Sequence, residues 1–94
     1  MPKEKKLAQR LVRMADLQDE PIPGLPLIEL AGDRRVLIEH HNGVAQYSTE
    51  EICVKVKFGY IVICGSSLEL SFMTRGQLII SGCIDCVKLF RGRK

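Results

Sequence analysis

Seven side chains in this sequence have types and spacings suited to chemistry: Cys53, Cys64, Cys83, Cys86, Glu39, His40 and His41. The sharpest pattern is Cys83-Ile84-Asp85-Cys86, a Cys-x-x-Cys pair of the kind that holds zinc or cycles between dithiol and disulfide. A zinc ribbon sets such a pair on a tight turn and supplies a second pair, and the sequence has only one. A thioredoxin-like site needs its first cysteine at a helix N-terminus, where the dipole lowers the thiol pKa, and no helical pattern follows Gly82-Cys83. On a regular strand, residues three apart point to opposite faces, so both thiolates reach one ion only if a bulge or turn intervenes. The pair therefore reads as two small strand residues. A metal site completed by a histidine or another cysteine, and a redox site, stand as the alternatives.

Glu39 and His41 fall on one face of an extended segment and invite an acid–base reading. A general base also needs a nucleophile or polarised substrate within hydrogen-bond reach, and nothing in the sequence places one there. Histidines beside a turn ordinarily cap or pack. The chain also lacks a phosphate-binding G-x-x-x-x-G-K-[ST], a nucleophile elbow G-x-S-x-G and a metal-binding H-E-x-x-H. The expectation is a protein that is not an enzyme and binds no cofactor.

The elements that position these residues follow from periodicity. Ninety-four residues, 46% hydrophobic and 27% charged, make one globular domain with a modest core. Leu7, Leu11, Met14 and Ala15 recur on one helix face, predicting a short amphipathic helix over 1–17. "DEPIPGLPLIEL" then stops any helix, giving a proline-rich linker over 18–26 and a first strand near Leu27–Leu30. After it the period changes to two. Asn42-Gly43 between alternating segments predicts a two-residue hairpin, which puts Val36, Ile38 and His40 on the core face with Ala45 and Tyr47. Ile52, Val54, Val56 and Phe58 alternate against Cys53, Lys55 and Lys57, and a loop at Phe58-Gly59 would set Cys53 opposite Cys64. Further strands at Leu68–Phe72, Gln77–Ile80 and Ile84–Leu89 are separated by "GSS", "TRG" and "SG". The sum is a mainly β fold: a small antiparallel β sandwich or roll of about seven to eight short strands over 27–90, preceded by the α-helix and followed by a basic tail, 91–94.

Charge is segregated along the chain. Residues 1–17 hold five basic and two acidic side chains and residues 88–94 hold four basic ones, so the ends carry +7 of a net +3 and the middle −4. Lys3, Lys5, Lys6, Arg10 and Arg13 surround the Leu7–Leu11–Met14 stripe, the pattern of a helix that lies on an anionic membrane surface or docks in a partner's groove. Packing of that stripe on the chain's own sheet is the simpler reading. No run reaches the roughly 18 apolar residues of a membrane span, and the N-terminus lacks the apolar core of a signal peptide, so a cytoplasmic location with reduced thiols is expected. A small β-barrel that binds nucleic acid is an alternative, weakened because Tyr47 and Phe58 are expected to face inward instead of stacking on bases. Unpaired strand edges favour a homo-oligomer, which light scattering at micromolar concentration distinguishes from a monomer.

From Leu25 to Phe90 the sequence resembles the YabP/YqfC family of sporulation proteins, and its YqfC branch in particular. The residues that carry the resemblance are Leu25, Pro26, Ile28, Glu29, Leu30 and Gly32, then Leu37, Ile38, Glu39, His41 and Gly43, then Tyr47, Glu51 and Ile52. Gly59, Ile63, Gly65, Leu68 and Leu70 follow, and then Leu78, Ile80, Gly82, Ile84 and Val87. The chain departs from the family pattern at His40, where asparagine is more usual, and at Cys83 and Cys86, where polar strand residues are expected. The resemblance implies an all-β protein made in the mother cell of an endospore-forming bacterium and needed for spore formation or envelope assembly. It brings no catalytic residues. The expected partners are proteins at the forespore membrane or coat, with peripheral contact to the membrane and no specific nucleic acid.

Overall fold

The computed structural model describes residues 24–92. The helix expected over 1–17, residues 18–23 of the linker and the last two residues lie outside the described residues. Six strands, β1 (Leu27–Ala31), β2 (Arg35–Glu39), β3 (Val44–Tyr47), β4 (Glu51–Val56), β5 (Gly59–Met73) and β6 (Gln77–Arg91), form one antiparallel sheet in the order β1-β2-β6-β5-β4-β3. The mainly β, antiparallel expectation holds, with six strands in place of seven or eight. Two of the expected breaks are not turns: "GSS" lies inside β5 and "SG" inside β6, so four expected strand segments are parts of two 15-residue ones.

Those long strands are bent double. A straight strand from Tyr60 to Thr74 would run roughly 45 Å at about 3.3 Å per residue. Yet Asn42 donates its N–H to the carbonyl of Lys55, the residue paired with Tyr60, while two residues earlier His40 donates to Gly76 O, just beyond Thr74. Three adjacent residues thus bridge both ends of the β5–β6 hairpin, which is possible only if the hairpin folds back on itself. The fold occurs where the ladder slips, between Cys64 and Gly65, between Ser66 and Glu69, and between Leu70 and Phe72. Each slip inserts an unpaired residue that bends and twists the strand. Gly65 and Gly82 let the strands approach at the bend: a Cβ on Gly65 would collide with the Cys83 carbonyl oxygen, and Gly82, at φ +141°, would drive one into the Ser67 carbonyl.

Folding gives the sheet two facing halves and one core between them. Val36 and Ile38 of β2 with Leu78 and Ile80 of β6 line one half, and Ile52 and Val54 of β4 with Ile61 and Ile63 of β5 line the other, all fully buried. Leu68 fills the bend. Alternation on β2 and β4 predicted this buried set because strand side chains alternate between faces with period two.

The Asn42-Gly43 hairpin does not form. β2 pairs with β1 and β6, and β3 pairs with β4, so residues 40–43 cross between the two halves. A two-residue turn would have tied β2 to β3 and denied Val36 and Ile38 their place beside Ile80 and Leu78; burial outweighs local turn preference. Consequently Ala45 and Tyr47 are exposed, correcting their assignment to the core face. The β4–β5 loop is Lys57-Phe58, with Val56 opposite Gly59, so Cys53 faces Val62 and not Cys64.

Candidate functional site

His41 is a buried polar side chain among the described residues, and its surroundings are structural. Gly43 N–H donates to its Nδ1 at 2.9 Å, so the ring proton sits on Nε2, which donates to Thr74 O at 3.0 Å. The ring pins the crossover to the β5–β6 turn. Glu39 does not pair with it; its Oε2 accepts from Gln77 Nε2 at 3.0 Å. The acid–base reading therefore fails on geometry, and His40, exposed at φ 65°, stands apart from both.

The cysteines are arranged in a way their sequence spacing hides. The ladder slips at Asp85, so Cys86 pairs with Cys64 and Cys83 with Ser66. Cys64 and Ser66 are two positions apart on β5, so the register puts Cys83 and Cys86 on one face of the sheet; the expectation of opposite faces is overturned by the bulge. Cys83 is exposed and accepts from Arg34 Nη1 at 3.7 Å, whereas Cys64 and Cys86 are half-buried and face each other across the ladder. The neighbouring Cys86 thiol, burial and the charge of Glu51 raise the Cys64 pKa, with Lys88 opposing. Burial, with Glu51 adding to it, raises Cys53 as well. In the unfolded chain these thiols ionise first, so stability falls as pH rises past their ordinary value of 9.0. No three His, Cys, Asp or Glu side chains among the described residues are grouped as a metal ion requires.

A groove of about 710 Å³ opens where residues 24–26 join the sheet, lined by Leu25, Pro26, Phe58, Leu89 and Arg91. Phe58 packs partly on the core and Leu89 is 60% exposed, so the groove is an apolar surface rimmed by a cation. Lys3, Lys5, Lys6, Arg10 and Arg13 lie outside the described residues. The exposed aromatics Tyr47, Phe72 and Phe90 stand on three strands, and Phe72 and Phe90 sit beside Ile79 and Tyr60 at opposite ends of the hairpin. Sequence reasoning missed both the Cys64–Cys86 juxtaposition and the groove, because each joins residues far apart in the chain.

Residues 26–94 match the YabP family. A protein of Bacillus subtilis (strain 168), "Uncharacterized protein YqfC", is 26% identical over 78 residues, which cover 83% of this chain and 84% of that protein. No solved structure matches.

Proposed function

The chain belongs to the YabP family, and from that premise we propose that it is a noncatalytic sporulation protein. It acts in the mother-cell cytoplasm in endospore formation or spore-envelope assembly, and it works by docking protein partners at the forespore membrane or coat. The observation that carries this reading is the extent of the family match, which takes in every strand from β1 to β6. The apolar groove beside Arg91 supports the docking part, since a surface of this kind fits an apolar side chain or segment from another molecule. No helix among the described residues is long and apolar enough to cross a membrane, so membrane contact through them is peripheral on this reading.

Deleting the gene and following sporulating cells by microscopy tests the role. The expected result is a loss of heat-resistant spores that the wild-type gene restores and a Leu89→Asp gene does not. Leu89 is 60% exposed, so the substitution changes the groove without opening the core. Normal spores in the deletion strain would count against the role, and full rescue by Leu89→Asp would remove the groove from it.

The basic N-terminal segment makes a second, separable prediction. Near an anionic leaflet each Lys or Arg contributes on the order of 1 kcal/mol, so Lys3, Lys5, Lys6, Arg10 and Arg13 together hold a small protein loosely. Full-length protein is expected to cosediment with vesicles containing anionic lipid at low salt and to be released at high salt, because screening weakens the attraction. Removal of residues 1–17 should weaken cosedimentation with the β domain still folded. Equal cosedimentation with neutral vesicles, or an unfolded truncation, would assign the Leu7–Leu11–Met14 stripe to packing.

A further inference from the structure

We propose that Cys64 and Cys86 are a reversible cross-strand dithiol, oxidised to an intramolecular disulfide by exchange with low-molecular-weight disulfides. The two residues are direct partners in the β5–β6 ladder. Their pair is of the hydrogen-bonded type. The tight β4–β5 loop makes Val56 and Gly59 the closing pair, which turns the backbone groups of Ile61 and Ile63 toward β4 and those of Val62 and Cys64 toward β6. Donation from Gly92 N–H to Phe58 O at 3.0 Å fits the same parity. Such pairs hold their Cα atoms about 5.5 Å apart, inside the range of roughly 4.4–6.8 Å that a disulfide spans.

The bond formed would be a labile one. Facing Cβ atoms in a ladder lie about 4.5–5.5 Å apart, and a disulfide prefers about 3.8 Å, so closure draws the strands together against their pleat. Strained disulfides are more oxidising and more readily reduced than structural ones. The unpaired Asp85 beside Cys86 is the point where β6 can yield.

Exchange proceeds in two steps. A cysteine thiolate attacks one sulfur of R–S–S–R, forming a mixed disulfide and releasing RS⁻; the second cysteine's thiolate then attacks the protein sulfur of that mixed disulfide and releases the second RS⁻. The two thiol protons end on two RSH, the protein loses two electrons and the reagent gains them. The groups facing the pair are Glu51 and Cys53 from β4 and Lys88 from β6. The neighbouring Cys86, burial and Glu51 raise the Cys64 pKa, so exchange should quicken as pH rises. The oxidant acts on Cys86 with Cys64, and the Cys83-x-x-Cys86 spacing is not the reactive unit.

The test is to expose reduced full-length protein to a series of glutathione disulfide concentrations, alkylate the remaining thiols and map the peptides. Cleavage after Lys57, Arg75 and Lys88 puts Cys64 on one peptide, Cys83 and Cys86 on another, and Cys53 on a third. Wild type, Cys53→Ser and Cys83→Ser should each lose two alkylatable thiols, regain them with dithiothreitol, and yield a linked Cys64–Cys86 peptide pair. Cys64→Ser and Cys86→Ser should stop at mixed disulfides with glutathione. A link within the Cys83–Cys86 peptide, a link to Cys53, a bond between two chains, or four thiols that stay reduced while a reference dithiol oxidises would each overturn the proposal. The wild-type map is decisive even if a serine variant folds poorly.

Discussion

Gly65→Ala is expected to destabilise the protein by on the order of 3 kcal/mol or more, a large share of what a domain this size possesses. The added methyl collides with the carbonyl oxygen of Cys83, which is backbone and cannot rotate away. Relief requires β5 and β6 to separate at the bend, where the two halves of the core depend on them, and Leu68 next to the bend is fully buried. Urea denaturation followed by circular dichroism should show a fall in midpoint at nearly constant slope, or protein that is unfolded from the start. Gly76→Ala supplies the comparison. A Cβ there meets nothing within 4 Å, so its effect should stay within about 0.5 kcal/mol. Equal stability of the two variants would show that the bend does not need the close approach at Gly65.

His41→Ala should cost about 2–6 kcal/mol, because it strands two backbone groups, the N–H of Gly43 and the carbonyl of Thr74, at about 1–3 kcal/mol each. The loss should be read by the same denaturation measurement. It should appear first as faster amide exchange in residues 40–43, which the ring ties to the β5–β6 turn. His40→Asn makes the contrast. His40 is exposed at φ 65°, a conformation that asparagine tolerates better than most residues, so that variant should match or slightly exceed wild-type stability. A destabilised His40→Asn with an unaffected His41→Ala would reverse the roles assigned to the two histidines.

The sequence by itself determined the class of the fold and much of the core. Strict alternation at Val36 and Ile38, and at Ile52, Val54 and Val56, marks buried faces because a strand's side chains alternate whatever its partners are. Family features spread from Leu25 to Phe90 were legible for the same reason: they are identities at positions, and need no knowledge of contacts.

Pairing was decided by tertiary structure alone. Asn42-Gly43 has the composition of a hairpin turn, but a local turn preference is worth less than burying β2 against β6, so the residues became a crossover. "GSS" and "SG" carry turn residues, and the same small side chains serve a bend within a strand when the sheet must close over its core. The cysteines show the limit most plainly. Counting along an unbroken ladder from Met73 opposite Leu78 would set Cys64 opposite Val87. Three unpaired residues on β5 and two on β6 shift the register by one place and bring Cys64 to Cys86. A bulge is fixed by how the whole sheet packs, and no local spacing in the chain encodes it, so neither Cys83–Cys86 nor Cys53–Cys64, the pairs the sequence suggests, is the pair the fold brings together.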